Sequence, residues 1–409
     1  MSGPRVWHAV PVSRARRGVV RVLAPLLAVG LLAGACGSSA EPKRPVLNWY
    51  VGADSLASRS LADSCSGGDV EVRIHELPRE ADAAHTALVR RLSSAGSSVD
   101  VLAIDGALVP EFAAAGWLRK APPVAADILP AAAEQVTRDG VAYATAWLFD
   151  PQLLWYRPLT AERAGIDVTQ PVTWDALLSG ADRLGVTVQI ADDRGLGLAE
   201  WVSALVAAGD GDVTKDLSAE SGQGAASVIE YYEEAGVGPG PSPTAASGFV
   251  GSNGGFLIAP GSALSDPALA PLGTEFAVTA YPSLAGPSPA PARGVVLAVG
   301  AESAHPKEAA AFIECLSGDD VVRPIVTTSG YGPAKVGLLK DEQVRTALPT
   351  AAVLETAMLT ARTVPVTPRW NAVRRVIDET WSPLGSVNTD NTPRTSGAAV
   401  RAALKGELP

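Results

Sequence analysis

Val99-Asp100-Val101-Leu102-Ala103-Ile104-Asp105-Gly106 is an apolar run that ends in an acid and a glycine. It hardly alternates with polar residues, which is the pattern of a strand covered on both faces, as in a parallel sheet. Helical spacing flanks it. Before it, Glu80 to Ser94 puts Ala84, Ala87, Leu88, Arg91 and Leu92 on one face; after it, Val109 to Ala115 is stopped by Gly116. Further upstream, Val46 to Val51 and Val70 to Ile74 have strand composition. Strands alternating with helices in this way predict an α/β fold with a largely parallel sheet. Ligands of such sheets sit beyond the carboxyl ends of the strands. Asp105 occupies that place, and its carboxylate also suits the N-cap of the helix that follows.

The same style continues. Val141 to Trp147 and Gln152 to Tyr156 read as two strands, with Asp150-Pro151 as turn chemistry between them. Thr173 can cap a helix running to Leu184, Val186 to Ile190 is a strand, and Leu198 to Ala208 and Ala219 to Ala235 are helices ahead of the Gly/Pro-rich stretch 236–248. Phe256 to Ile258 and Glu275 to Ala280 are short strands, and Tyr281 to Pro291 is a linker. Arg293 to Val299 is a strand that returns to the first part of the chain. Helices follow from His305-Pro306 to Leu316, from Ala351 to Arg362 and from Arg369 to Trp381. The tail Gly385 to Gly397 is polar and turn-rich and is expected to be loosely held, with only Ala398 to Leu404 fit for a short helix.

The 43 acidic and 33 basic side chains give a net charge of −10. The five arginines of residues 1–35 have no acid among them, so the rest of the chain is more acidic still. That balance argues against a nucleic-acid binder, which needs a basic stripe, and against a body lying flat on anionic lipid. Arg14, Arg16, Arg17 and Arg21 precede the apolar stretch Val22 to Leu32 and the small residues Ala33-Gly34-Ala35 before Cys36. This is the layout of an export signal over residues 1–35, and it resembles a lipobox in which Cys36 is acylated and residues 36–45 form a tether. The membrane would then be met through that lipid only. Two cysteines are left, Cys65 and Cys315, and in an exported chain an isolated pair is more often a disulfide than two free thiols. Arginine and alanine usage is that of a high-GC bacterium such as an actinomycete.

Catalytic patterns are missing: HExxH, GxSxG, SxxK and GxxxxGK do not occur. His75, His85 and His305 are scattered and nominate no metal site. The reading is of a non-enzyme without cofactor or metal. Tryptophan is the notable residue, since flat rings stack on sugar faces. Most of the indoles are expected in the core; Trp147, beside Asp150, is the candidate for ligand contact.

Three stretches resemble the extracellular solute-binding proteins of sugar ABC importers, the maltose-binding-protein-like family: Val99 to Asp105 with Glu111-Phe112-Ala113-Ala114-Ala115-Gly116-Trp117-Leu118; Val141-Ala142-Tyr143-Ala144 with Gln152-Leu153-Leu154-Trp155-Tyr156-Arg157-Pro158; and Pro171-Val172-Thr173-Trp174-Asp175. Within that family the chain resembles the mycobacterial trehalose-binding lipoproteins, over about residues 46 to 384, and the segments around Cys65 and Cys315 look like their two cysteine segments. The resemblance implies a two-lobed Venus-flytrap fold with a hinge between the lobes. Lobe one would take 46–145 and 293–345, lobe two 146–292, and the helices of 346–409 would span both. It implies a monomer that binds a small polar solute, a carbohydrate in this family, and hands it to ABC permease subunits. Asp105 and Asp150 fall on the family's ligand positions, Asp54 on an acid near the first strand's end, and Tyr331 within the loop Ser329-Gly330-Tyr331-Gly332-Pro333. Tyr50 and Arg194 complete the candidate set.

The sequence also departs from the trehalose binders. Gly195-Leu196-Gly197 loses a carboxylate, Ala259-Pro260-Gly261 loses a stacking ring, and Val364-Pro365 replaces Arg-Pro. Each lost polar partner costs roughly 1–3 kcal/mol in a site built for it. These losses motivate an alternative, a binding-protein fold with a degenerate site that acts in cell-envelope interaction or assembly.

Overall fold

The computed structural model describes residues 44–52, 59–94, 96, 98–192, 197–234, 240–273 and 275–407. The expected signal and lipidated Cys36, together with Asp54 and Arg194, lie outside them.

Residues Arg44 onward gather into one unit around a sheet. Its strands are β1 (Val46–Val51), β2 (Glu71–Glu76), β3 (Val101–Asp105), a small hairpin of β4 (Thr137–Arg138) and β5 (Val141–Ala142), β6 (Thr145–Tyr156), β7 (Thr187–Asp192), β8 (Gly240–Pro241), β9 (Gly254–Pro260), β10 (Ala277–Thr279), β11 (Ala292–Val299) and β12 (Gly332–Pro333). The order across the sheet is β2-β1-β3-β11-β6-β9-β7-β8, with β10 and β12 also pairing β6. β1 runs parallel to β2 and β3, and β7 parallel to β9, while β11 is antiparallel to both β3 and β6. A mixed sheet thus replaces the largely parallel one, because β11 runs against β3 and β6, and β6 runs against β9. The Asp100 carboxylate pins the start of β3 by accepting from the Asn48 backbone N–H at 2.9 Å and from the Ser303 hydroxyl at 2.6 Å.

β6 organises everything else. Where two strands and a turn are expected, the structure has one unbroken strand of 12 residues. Its first half, Thr145 to Pro151, pairs with β11, and its second half, Gln152 to Tyr156, pairs with β9. The change of neighbour falls at Pro151–Gln152, where a proline, which brings no N–H to a ladder, is tolerated. Val141–Ala142 belongs instead to the small hairpin. The switch makes β6 common to both halves of the sheet, β2-β1-β3-β11 on one side and β9-β7-β8 on the other.

Helices cover both faces. Arg59–Cys65 and Pro130–Val136 lack a clear sequence signature, whereas Ala81–Leu92 is capped as its sequence suggests, Glu80 accepting from the backbone N–H groups of Asp82 and Ala83. Cys65 ends its helix bonded to Cys315 on the helix Pro306–Leu316. The loose tail is corrected: Thr392–Lys405 is a helix, with Ser396 fully buried and its hydroxyl receiving the Thr380 hydroxyl at 2.8 Å. Gly397 allows a second close approach, to Ser218, since a Cβ there would lie 2.3 Å from Ser218 Oγ. Trp49, Trp155, Trp174 and Trp381 are fully buried, each contributing roughly 150–250 Å² of apolar contact. Among the described residues no helix is long and apolar enough to cross a membrane.

Candidate functional site

A cleft of about 350 Å³ opens at the carboxyl end of β3, between the two halves of the sheet. Clefts that hold small ligands start near this size, at roughly 300 Å³. One wall comprises Gly52 after β1, Leu77 to Arg79 after β2, the end of β3, and the helical face Ala81, Ala84, His85 and Leu88. The facing wall is mostly small and apolar, with Ala191, Ala246, Leu257, Ala259 and Ala263, but it carries Glu200, Ser262 and Asp266. Tyr331, Trp370 and Asn371 close the rim.

Asp105 lines the cleft at the tip of β3. One of its oxygens, Oδ1, accepts from the Ala107 backbone N–H at 2.9 Å, so the carboxylate caps the short turn Gly106–Leu108. Capping and ligand contact do not exclude one another, because a carboxylate has about four acceptor sites. Across the cleft Asp266 is held in the same way, its Oδ1 accepting from Ala268 N at 2.8 Å. Tyr331 lines the cleft on a loop set by two glycines. Gly330 has φ +74°, and a Cβ there would lie 2.6 Å from the Gly261 carbonyl oxygen. Only glycine lets these backbones meet.

The other candidates are placed differently. Asp150 is interior to β6 and 7% exposed, and its Oδ1 accepts from the Ser262 backbone N–H at 3.1 Å. It lies behind the cleft wall and holds the turn that presents Ser262. Trp147 is 2% exposed, and its indole N–H donates to the Leu316 carbonyl at 2.8 Å. It is a core residue, because β6 is central and covered on both faces. Tyr50 is also buried, its ring stacked on His75 at 4.6 Å with the Arg91 guanidinium 5.7 Å away. Neither Trp147 nor Tyr50 lines the cleft. Asp54 and Arg194 are outside the described residues, although Gly52 and Ala191 close by in sequence line the cleft.

Residues not nominated from sequence supply much of the polar lining. His85 Nε2 lies 2.9 Å from Glu111 Oε1, and the Asn371 amide donates to Glu111 Oε2 at 2.7 Å. Burial pushes the Glu111 carboxyl up, but the hydrogen bonds from His85 and Asn371 and the charges of His85 and Arg375 outweigh it, holding the carboxyl below its ordinary range. Both partners of this carboxylate line the cleft, so Glu111 orients them from beneath. The positions 81, 84, 85 and 88 form one helical face, the signal that could have nominated His85. Asn371 left no such trace, since 260 residues separate it from Glu111.

A second cluster ties the cleft's edge together. The Arg374 guanidinium, 2% exposed, is held by Asp82 at the start of the helix Ala81–Leu92 and by Asp378 Oδ2 at 3.2 Å. Asp378 Oδ1 accepts from the Ala199 backbone N–H at 3.1 Å, capping the helix Gly197–Ala208 on the opposite side. Burial raises the Asp378 carboxyl to about 6, with Asp82 and Asp192 adding to the rise against the pull of Arg374 and the Ala199 N–H. The helix Trp370–Thr380 therefore straps the two sides of the cleft. Among the described residues there is no group of three or more His, Cys, Asp or Glu side chains that could hold a metal ion.

A curated relative, a probable ABC transporter-binding protein of Deinococcus radiodurans, is 26% identical over 372 residues, covering 82% of this chain and 86% of its own. Among solved structures, the GacH receptor of Streptomyces glaucescens, studied unliganded and with acarbose, superposes with a TM-score of 0.76 at 18% identity, covering 89% of this chain and all of that one. Maltose-bound MalE3 of T. maritima gives a TM-score of 0.74 at 20% identity, with the same coverage. At such identities the likeness is one of fold, the two-lobed α/β binding-protein architecture. The family model for bacterial extracellular solute-binding proteins matches residues 67–323, the greater part of the chain. The chain belongs to the bacterial extracellular solute-binding protein family.

Proposed function

We propose that this protein is the ligand-receiving component of an ABC importer, anchored by an acylated Cys36 and binding a small neutral sugar in the cleft beyond β3. The observation that carries this reading is a cleft of about 350 Å³ in which Asp105, Asp266, His85, Asn371 and Tyr331 converge from different elements. Carboxylates and amides at fixed positions accept and donate to hydroxyls, while the alanine-rich wall suits the C–H faces of a ring. The Deinococcus relative's description and the acarbose and maltose bound to the solved neighbours support the class. In this reading Asp105 and Tyr331 contact the ligand directly, and Asp150 acts through the Ser262 turn.

The lobes divide at Pro151–Gln152, so the first half of β6 goes with β11 rather than with residues 152–292. Closure of the lobes on the ligand is what the permease senses, a shift between open and closed populations. The protein acts as a monomer, touches the membrane through its lipid alone, and turns nothing over. Converging polar groups weigh against a degenerate site serving envelope assembly.

Titration calorimetry against maltose, trehalose, glucose and a broader sugar panel tests the reading. Saturable binding is expected, weakened about 10- to 100-fold by Asp105→Ala. Absence of binding across the panel would overturn it.

A further inference from the structure

Behind the cleft lies a second, smaller hollow of about 70 Å³. Ala191 and Glu200 line both, so the two spaces are neighbours, with these side chains at their shared boundary. The hollow sits where β6 changes neighbours: Gln152 bounds it from β6, Pro291 to Arg293 from the start of β11, and Trp201 and Tyr281 from the far half. Three of the residues that line it carry a buried polar atom with no hydrogen-bond partner among the described residues: the Trp201 indole N–H, the Tyr281 hydroxyl and Gln152 Oε1. Trp201 and Tyr281 are each only 4% exposed. Protein interiors rarely leave such groups unpaired, because an unsatisfied buried donor or acceptor is costly. Three around one hollow point to a polar occupant.

The donor pattern narrows that occupant. An indole N–H only donates, an amide oxygen only accepts, and a phenol does both. Burial raises the Tyr281 hydroxyl far above its ordinary range, which keeps it a neutral donor. A hydroxyl group, donor and acceptor at once, matches all three. An anion does not, because it cannot donate to Gln152, and the two guanidiniums on the wall, Arg293 and Arg362, already face the carboxylates of Glu200 at 3.8 Å and Asp210 at 2.7 Å. At roughly 10–15 Å³ for each water-sized centre, the hollow takes an arm of about five to seven heavy atoms, too few for a complete sugar with its hydroxyls.

We propose that the hollow is a subsite of the cleft that receives a neutral, hydroxyl-bearing arm of the ligand, such as a hydroxymethyl or short polyol chain. The proposal rests on the sugar reading of the cleft and adds which part of the ligand is selected for. Trp201 and Tyr281 are then specificity residues for a ligand that carries this arm.

The test uses full-length protein carrying ¹⁵N in its indole groups, titrated with maltose, trehalose and sorbitol while the Trp201 N–H resonance is followed, assigned by Trp201→Phe. With a ligand that binds, that resonance is expected to shift and saturate at the calorimetric Kd, while the Trp147 resonance, bonded to Leu316, stays in place. Tyr281→Phe, which removes one oxygen and keeps the ring packed on Trp174, is expected to weaken the same ligand about 5- to 50-fold. Sugar binding with an unmoved Trp201 resonance and unchanged affinity in Tyr281→Phe would leave the hollow to water and overturn the subsite alone. Failure of every sugar to bind would overturn the subsite together with the sugar reading.

Discussion

Replacing Arg374 by methionine tests whether the helix Trp370–Thr380 clamps the cleft. Methionine keeps much of the arginine stem's volume and removes the guanidinium that joins Asp82 to Asp378. Breaking a fully buried ion pair costs about 3–5 kcal/mol. Here the cation is buried, but the Asp82 and Asp378 side chains are 47% and 34% exposed, so water recovers part of the loss. A destabilisation of about 1–3 kcal/mol is therefore expected. The decisive measurement is a double-mutant cycle of Asp82→Asn and Arg374→Met, followed by tryptophan fluorescence in urea. A coupling of about 1–2 kcal/mol is expected for groups in direct contact. Effects that add to within about 0.5 kcal/mol would refute the clamp, whatever the size of each single loss.

Asp378 has a folded pKa of about 6, above its ordinary 3.8, so its contribution to stability is full below pH about 4 and is lost as pH rises to about 6. Thermal unfolding of Asp378→Asn against wild type should show the two stabilities diverging over that window and running parallel above it. Gly330→Ala places a Cβ against the Gly261 carbonyl in a left-handed residue; a loss of at least about 1–2 kcal/mol is expected in urea unfolding, with weaker ligand binding by calorimetry through displacement of Tyr331. Converting Cys65 and Cys315 together to serine opens a loop spanning 250 residues; the chain-entropy model gives a loss of about 5.5 kcal/mol, with about 3–5 expected in practice, read from the denaturation midpoint of oxidised wild type against the variant.

The part of the site around Asp105 is legible in sequence because everything that builds it is local: an apolar strand, a terminal acid and a short turn. Asp150 shows where such reading stops. Asp-Pro has the composition of a turn, and only pairing with β11 and β9, each far away in sequence, makes it the middle of a strand. The tail failed for a related reason. Gly, Ser and Thr between 385 and 397 favour turns, yet Ser396 and Gly397 are the small residues on which the last helix packs. Trp147 illustrates the limit of residue type as evidence, since an indole serves a core as readily as a sugar, and the carbonyl that engages it lies 169 residues away. His85 carried a helical-face signal; Asn371 and Arg374 carried none, because their partners are assembled by tertiary folding alone.

One hydrogen-bonded ribbon, β6, runs without interruption from one half of the molecule into the other. Movement between the halves then resembles the flexing of a leaf spring more than the swing of a door on a loose pin. Each degree of opening would be distributed over several peptide units and meet a restoring torque. A binding protein built this way would return toward a preferred gape after each release, ready for the next encounter, and stiffening the ribbon would tune how fast it resets.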